Sequence, residues 1–388
     1  MPHEMGRTAV EGLLDDVGGL HSSASRIKVE CVLAEPCAFP ADCRTAPPRA
    51  LVSGRTEYGL VGRVTMPRAD PIVPAMKTYS AQDVREGLDW PVLLAALKTA
   101  FAQGVEAPLR QHLHVGGDAI NGNLLLMPAW QAGQHIGVKL VTVFPENDQR
   151  GLPAVASVYT LFDGQTGAIV GQIDGGELTA RRTAAASVLA ATFLARTNSR
   201  NLVVMGTGRV SRNLAQAYCA IFAIDKLTIC SRSLDKAEAL ATELGPVAPE
   251  IVTTTDFANA ASDADIVSTA TLSKTPIVLG DLLRPGTHVD LVGSFRTDMR
   301  EADDAVLHRA GGIFVDTFEG ASKETGDITI PMAAGVLTPQ SLLADLAMLC
   351  RGEHPGRQNA EAITAFKSVG TALEDLAAAV ALTTADRG

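Results

Sequence analysis

Directly after the apolar run Leu202–Met205, and ahead of an amphipathic stretch, stands Gly206-Thr207-Gly208-Arg209-Val210-Ser211. In that setting the glycines permit a tight strand-to-helix turn and close approach of a pyrophosphate, whose charge is met by amides at the helix N-terminus. A G-x-G-x-x-S string is weak by itself, and a Gly-rich turn that holds no ligand is the competing reading. Ser211 occupies the position of a third glycine, which serves helix packing, so a small side chain is expected to be accepted there.

A second signal lies at the end of the next strand, where Ser231-Arg232-Ser233 replaces the acidic residue that NAD-selective folds use on the ribose hydroxyls. An acid would repel a 2′-phosphate, whereas a guanidinium pairs with it and stacks on adenine, with the flanking hydroxyls as further donors. NADPH is the expected cofactor and NADH a weaker one. A solvated charge at the start of a loop is the alternative for Arg232.

Lys139 sits within the apolar strand IGVKLVTVF, where an ammonium is costly unless an anion meets it. The other reading is an edge-strand or snorkelling lysine. Arg110 precedes Gln111-His112-Leu113-His114; an H-x-H pair on a strand can ligate metal, but no third ligand is near in sequence, so His112 is expected at a polar pocket rim and no metal is expected. The six cysteines include no CxxC pair and are too few for a disulfide scaffold. Cys219 and Cys230 read as small buried hydrophobes, and Cys31, Cys37 and Cys43 have no His cluster beside them.

These groups need elements to carry them. The 388 residues are 46% hydrophobic, enough for a sizeable core, and the net charge of −10 argues against nucleic acid or an anionic membrane as partner. A cytoplasmic protein is expected from the lack of a long apolar span or a basic-then-apolar leader. Residues 1–75 hold 8 of the 20 prolines and read as a Pro-rich extension, disordered or artefactual, with Met76 as a candidate initiator. From there Val92, Leu93, Ala96, Leu97 and Phe101 recur at helical spacing behind a Ser80 N-cap candidate. Strand-like segments at 124–130, 135–144, 154–163 and 168–173 suggest an antiparallel sheet, followed by an Ala-rich helix from Glu177 to Arg196. Alternating strands and helices from 202 to 317 imply a parallel, doubly wound sheet. The tail from Pro339 reads as mainly helical. The expected fold is α/β: a Rossmann domain at 198–329 inserted into an α+β substrate and dimerisation domain of residues 76–197 plus 330–388.

The segments GVKLV, ELTARRTAAAS, VVMGTGRVSRN, HVDLVGSFRTDMREADD, VDTFEGASKETGDI and FKSVGTALEDLAAA occur here in order. Over residues 76–385 the chain thereby resembles the ornithine cyclodeaminase and mu-crystallin family, and within it the Δ1-pyrroline-2-carboxylate and Δ1-piperideine-2-carboxylate reductases. The resemblance implies a homodimer and a small cyclic imino acid as substrate. It implies that the substrate carboxylate is held by Arg110, Lys139 and Arg182, with Ser294 and Arg296 also at the substrate and Lys139 catalytic. Arg182 and Thr183 could instead serve the cofactor phosphates, and Thr271 and Ser368 join the cofactor set. Cyclodeaminases carry an aspartate shortly after the V-G that this sequence continues as Gly293-Ser294-Phe295-Arg296, and a threonine where it has Ala154. Both departures argue against ornithine cyclisation. A cyclodeaminase or alanine dehydrogenase remains the rival enzyme, and a non-catalytic ligand-binding protein like some mu-crystallins the rival from another class.

Overall fold

Residues 76–116 and 122–385 are described by a computed structural model. The expectations for residues 1–75, Cys31, Cys37 and Cys43 among them, lie outside the described residues. The chain opens with β1 (Lys77–Tyr79), α1 (Ala81–Gly87) and α2 (Trp90–Gln103). Ser80 caps α1 reciprocally: its hydroxyl accepts from Asp83 N at 3.2 Å while Asp83 Oδ2 accepts from Ser80 N at 2.7 Å. Leu88 leaves helical geometry, and Pro91 enters the first turn of α2, where a missing N–H costs nothing.

Strands β2 (Gln111–Val115), β3 (Gly122–Gln131), β4 (His135–Val143), β5 (Val155–Asp163) and β6 (Ile169–Asp174) join β1 in a six-stranded sheet of order β1-β6-β5-β4-β3-β2. All its pairs are antiparallel except β1 with β6. Because opposed residues share a face, the register Met127–Lys139–Tyr159 puts all three on one side, and Leu126–Leu140–Val158 on the other.

Next comes α3 (Gly175–Leu194), started by Asp174, whose Oδ1 accepts from Glu177 N at 2.7 Å. Sixteen of its twenty residues are buried, so it is a central helix with no polar face left to water.

The second sheet is built from β7 (Asn201–Met205), α4 (Arg209–Ile221), β8 (Lys226–Cys230), α5 (Leu234–Leu244), β9 (Glu250–Thr254), α6 (Phe257–Ser262), β10 (Ile266–Thr269), β11 (His288–Leu291), α7 (Asp304–Ala310) and β12 (Ile313–Val315). It continues through α8 (Phe318–Glu324), α9 (Gly326–Ala333), β13 (Leu342–Asp345), α10 (Leu346–Arg351) and β14 (Thr364–Lys367), and the described chain ends in α11 (Ala372–Ala385). The eight strands are all parallel, in the order β13-β12-β14-β11-β10-β7-β8-β9. β7 has β8 on one side and β10 on the other, so the order reverses there and opens a crevice at the strands' C-terminal ends. Leu202 and Val204 enter the core that continues into α3 and the first sheet, while Val203 and Met205 enter a second core on the opposite face.

The parallel sheet is larger than the sequence predicts. The segment 330–388 was expected to leave it, yet β13 and β14 both join, with β14 inserted between β11 and β12. Strands of four residues are too short to declare a period, and a buried central strand shows no alternation. From that segment α11 returns to the antiparallel sheet, packing on β3, β4 and β5, while α3 packs on β5 and also on β11 and β14.

Gly137 marks how tightly the Lys139 face is filled. A Cβ there would stand 1.9 Å from Tyr159 Oη and 2.6 Å from its Cζ, and Tyr159 is fully buried. Gly137→Ala is expected to lower the unfolding free energy by about 1–3 kcal/mol, read by urea denaturation, because the ring must move within a packed core. An unchanged midpoint would refute that packing.

Candidate active site

At the crevice, Gly206 adopts φ +120°, and a Cβ on it would lie 2.7 Å from the Ala270 carbonyl oxygen and 2.8 Å from Ser211 Oγ. Only glycine is compatible, and Ser211, fully buried, fills the space beneath the turn as a small packing residue. Gly208 caps α4 without a side chain, and a Cβ added there would meet nothing within 4 Å, which leaves an open approach to the helix amides. The first turn of α4 carries no acid. Thr207 and Val210 are half-buried, and Arg209 is exposed, its guanidinium lying against Gly176 at the start of α3. Beyond β8, Arg232 is exposed. Ser231 Oγ accepts from Ser233 N at 3.3 Å and Ser233 Oγ from Lys236 N at 3.4 Å, so the serine oxygens hold the turn while their hydroxyl protons stay available. This donor set, with an open cradle and no acid at the ribose position, fits a nicotinamide dinucleotide.

Two buried acids shape the rest of the crevice. Glu301 accepts from Thr271 N, Thr271 Oγ1 and Gly293 N, each at 2.7 Å, and so ties together the loops after β10 and β11. Asp316 accepts from Val369 N at 2.7 Å, Gly370 N at 2.6 Å and Ser368 Oγ at 3.3 Å, fixing the loop after β14. Burial pushes both carboxyls above their ordinary range. The hydroxyls of Thr271 and Ser368, expected on the cofactor, are thus spent on these acids.

The chemistry-bearing cluster lies where α3, β4 and α11 meet. Lys139 Nζ donates to Asp375 Oδ1 at 2.9 Å, stands 2.7 Å from Oδ2, and reaches Thr179 Oγ1 at 3.2 Å. Arg182 donates from Nε to Asp375 Oδ1 at 2.8 Å and from Nη1 to Glu374 Oε2 at 2.6 Å. All four charged side chains are almost wholly buried. Burial brings Lys139 down to about 8, with Asp375 opposing the fall and the Arg182 and Arg110 guanidinia adding to it. Burial, with Asp316 and Asp375 nearby, pushes Glu374 up to about 7 against the pull of Arg182. Burial would raise Asp375 too, but Arg182 and Lys139 more than offset it and leave its carboxyl below the usual range. Gly370 (φ +79°) borders the cluster, since a Cβ on it would come within 2.3 Å of Arg182 Nη1. Arg110 reaches the same loop, donating to the carbonyls of Val369 at 3.1 Å and Gly370 at 2.5 Å, and pairs with Glu324 at 3.0 Å. Arg182 and Arg110 are therefore gathered around one loop, with Lys139 beside Arg182 on Asp375, and their guanidinia and ammonium can receive a carboxylate.

Several expected residues stand elsewhere. Ser294 is fully buried, donates to the Met299 carbonyl at 2.7 Å and shares a hydrogen with Thr325 Oγ1 at 2.9 Å. Arg296 is exposed and grips Asp298 with Nε and Nη2 at 2.8 and 2.9 Å, so both side chains stabilise the loop after β11 instead of reaching the cations. Arg182 is committed to Glu374 and Asp375, and Thr183 is buried within α3; Gly176 and Glu177 face α4, with Glu177 bound to Arg212 at 2.9 Å. His112 and His114 lie on the exposed strand β2. The anions Asp375 and Glu374 escaped the sequence reading, although two adjacent acids in the apolar run ALEDLAAAVAL were a signal: such a helix buries them only against cations.

Fold and site together define a dinucleotide-dependent oxidoreductase with a buried cation cluster suited to a carboxylate. Residues 74–385 match the ornithine cyclodeaminase/mu-crystallin family, and the chain belongs to it. A Δ1-pyrroline-2-carboxylate reductase of Paracoccus denitrificans is 38% identical over 303 residues, which cover 78% of this chain and 94% of the relative. Among solved structures, the Thermococcus litoralis Δ1-pyrroline-2-carboxylate reductase in complex with NADH and L-proline is 33% identical, with a TM-score of 0.75 over 80% of this chain and 98% of that one. An archaeal alanine dehydrogenase dimer with bound NAD is 26% identical, with a TM-score of 0.73 over 80% and 96%. The chain is an oxidoreductase acting on CH–NH groups.

Lys139→Met leaves the buried Asp375 carboxylate with Arg182 as its remaining cation. The variant is expected to lose about 2–4 kcal/mol of stability near pH 7.5 in urea unfolding, as a buried pair does when one partner goes. Native or increased stability would show that the pair does not carry the packing.

Proposed function

We propose that the chain is an NADPH-dependent reductase of cyclic imino acids, turning Δ1-pyrroline-2-carboxylate into L-proline and Δ1-piperideine-2-carboxylate into L-pipecolate. The observation that carries this reading is the convergence of Arg182 and Arg110 on the loop after β14, with Lys139 beside Arg182 on Asp375, at the C-terminal ends of the strands that form the dinucleotide crevice. The likeness to Δ1-pyrroline-2-carboxylate reductases supports it. When bound, the dinucleotide supplies the hydride that reduces the imine carbon. Arg110 and Arg182 hold the substrate carboxylate in one orientation, and the packed face of β4 excludes water. Lys139, with its proton affinity brought down to about 8, holds a proton that it can give to the imine nitrogen near neutral pH. Catalytic efficiency should therefore fall as the pH rises above about 8 and the ammonium is lost. Ser294 occupies the region where amine-releasing relatives are expected to carry an acid, and its hydroxyl is committed to Met299 and Thr325, which favours imine reduction over cyclodeamination.

We also propose a homodimer. The face of the antiparallel sheet opposite Lys139 presents Leu113, Leu126, Ile136, Leu140 and Val158, of which Leu113, Ile136 and Leu140 are exposed, and a second copy would cover it. Light scattering on the purified chain should give twice the monomer mass.

The activity test is NADPH oxidation with five- and six-membered cyclic imines against pyruvate plus ammonia; greater activity with the latter would overturn the assignment. For the cofactor, Arg232→Ala is expected to raise the KM for NADPH about tenfold to a hundredfold and that for NADH little, since only NADPH has a 2′-phosphate. Equal effects would remove Arg232 from cofactor selection. Lys139→Arg keeps the charge but cannot release a proton at working pH. It should preserve substrate KM while kcat falls about a hundredfold or more. Recovery of both would reduce Lys139 to an anchor.

A further inference from the structure

Among the described residues, Asp375 is the acid bonded to both Lys139 and Arg182. Its Oδ1 is shared, accepting from Lys139 Nζ at 2.9 Å and Arg182 Nε at 2.8 Å, and its Oδ2 stands 2.7 Å from Nζ. It is fully buried in the apolar helix α11, and its neighbour Glu374 is bonded to Arg182. The groups around Lys139 come from every element packed on it. Asp375 comes from α11, Thr179 and Arg182 from α3, the cross-strand neighbour Tyr159 from β5, and Arg110 adds its field from the segment before β2. Thr179 is neutral, Tyr159 is kept protonated by burial and by Asp375, and both arginines oppose the ammonium, as does desolvation. Thr179 accepts one hydrogen bond from the ammonium, and Asp375 is the one anion in this set that favours a charged Lys139.

We propose that Asp375 is the positioning residue of the reaction, holding Lys139 and Arg182 at one fixed spacing and keeping Lys139 in its ammonium form without itself touching the substrate. The inference rests on the reading that Lys139 and Arg182 receive the imino acid. It assigns to α11 a part in the chemistry beyond closing the fold: the spacing of two cations from different elements is set by one carboxylate. The ammonium that would protonate the imine exists near neutral pH because that carboxylate offsets part of the desolvation.

The test titrates Lys139 directly as well as through activity. Protein labelled with carbon-13 at lysine Cε is followed by NMR from pH 6 to 11, with the Lys139 resonance assigned by its absence in Lys139→Met. In parallel, kcat/KM is measured against pH with Δ1-pyrroline-2-carboxylate and NADPH. In Asp375→Asn the Lys139 midpoint should fall from about 8 by about one unit or more, and the basic limb of kcat/KM should move with it. At pH 8 the ammonium fraction would then drop about fivefold, and activity at least as much. Glu374→Gln, which loses a contact to Arg182 only, should leave the midpoint in place. An unmoved midpoint in Asp375→Asn overturns the proposal, whatever the activity. If that variant does not fold, Asp375→Glu decides: it keeps the charge but reaches one methylene further, so the midpoint should hold near 8 while kcat falls about tenfold or more. Wild-type kcat in Asp375→Glu overturns the positioning role. If wild-type protein reduces no cyclic imine, the substrate reading fails, and the NMR midpoints still decide whether Asp375 governs Lys139.

Discussion

Two cations with almost no exposure to water must be neutralised from within the protein, and that constraint organises this molecule. An unpaired ammonium or guanidinium at such depth would be prohibitively costly. The chain meets it by bringing α11 back from the far end of the sequence, so that Glu374 and Asp375 reach Arg182 on α3 and Lys139 on β4. The acids are separated from Lys139 by more than 230 residues, yet they determine whether β4 can carry a lysine on its covered face at all. The apolar sequence that flanks the acid pair follows from the same need, since α11 packs against β3, β4 and β5 and against α2 and α3.

The loop after β14 joins this cluster to the dinucleotide crevice. Asp316 at the end of β12 clamps its amides, Arg110 grips its carbonyls, and Gly370 leaves room for the Arg182 guanidinium. Three groups from three parts of the chain thus converge on three residues, and the loop's position follows from the insertion of β14 between β11 and β12. Glu301 does the corresponding work on the opposite side, tying Thr271 to Gly293. A crevice lined by backbone held on buried carboxylates is stiff, which suits a reaction in which the protein's contribution is orientation and charge placement.

The two faces of the antiparallel sheet differ in what covers them. Alternation along β4 sends Lys139 under α11 and its neighbours Val138 and Leu140 to the other side, so a single strand supplies both the buried ammonium and part of an exposed apolar surface. A shift of one residue in register would exchange the two.

What the sequence determined by itself was whatever local chemistry and short-range periodicity can encode. The Gly206–Ser211 turn, strands β3 to β6, the Ser80 cap, the Ala-rich helix α3 and most of the βαβ series were legible because glycine conformation, side-chain alternation and capping depend on residues a few positions apart. Lys139 was legible as an oddity, a charge inside an apolar strand. Its counter-ion was not, and neither were the clamping roles of Asp316 and Glu301, the membership of β13 and β14 in the parallel sheet, or the diversion of Ser294 and Arg296 to their own loop. Each of these is a pairing across long sequence separation, whose energy comes from burying a charge, an amide or a short strand against a partner that only the folded chain brings near. The sequence carries those residues without an address for their partners, and the tertiary structure decides which of them meet.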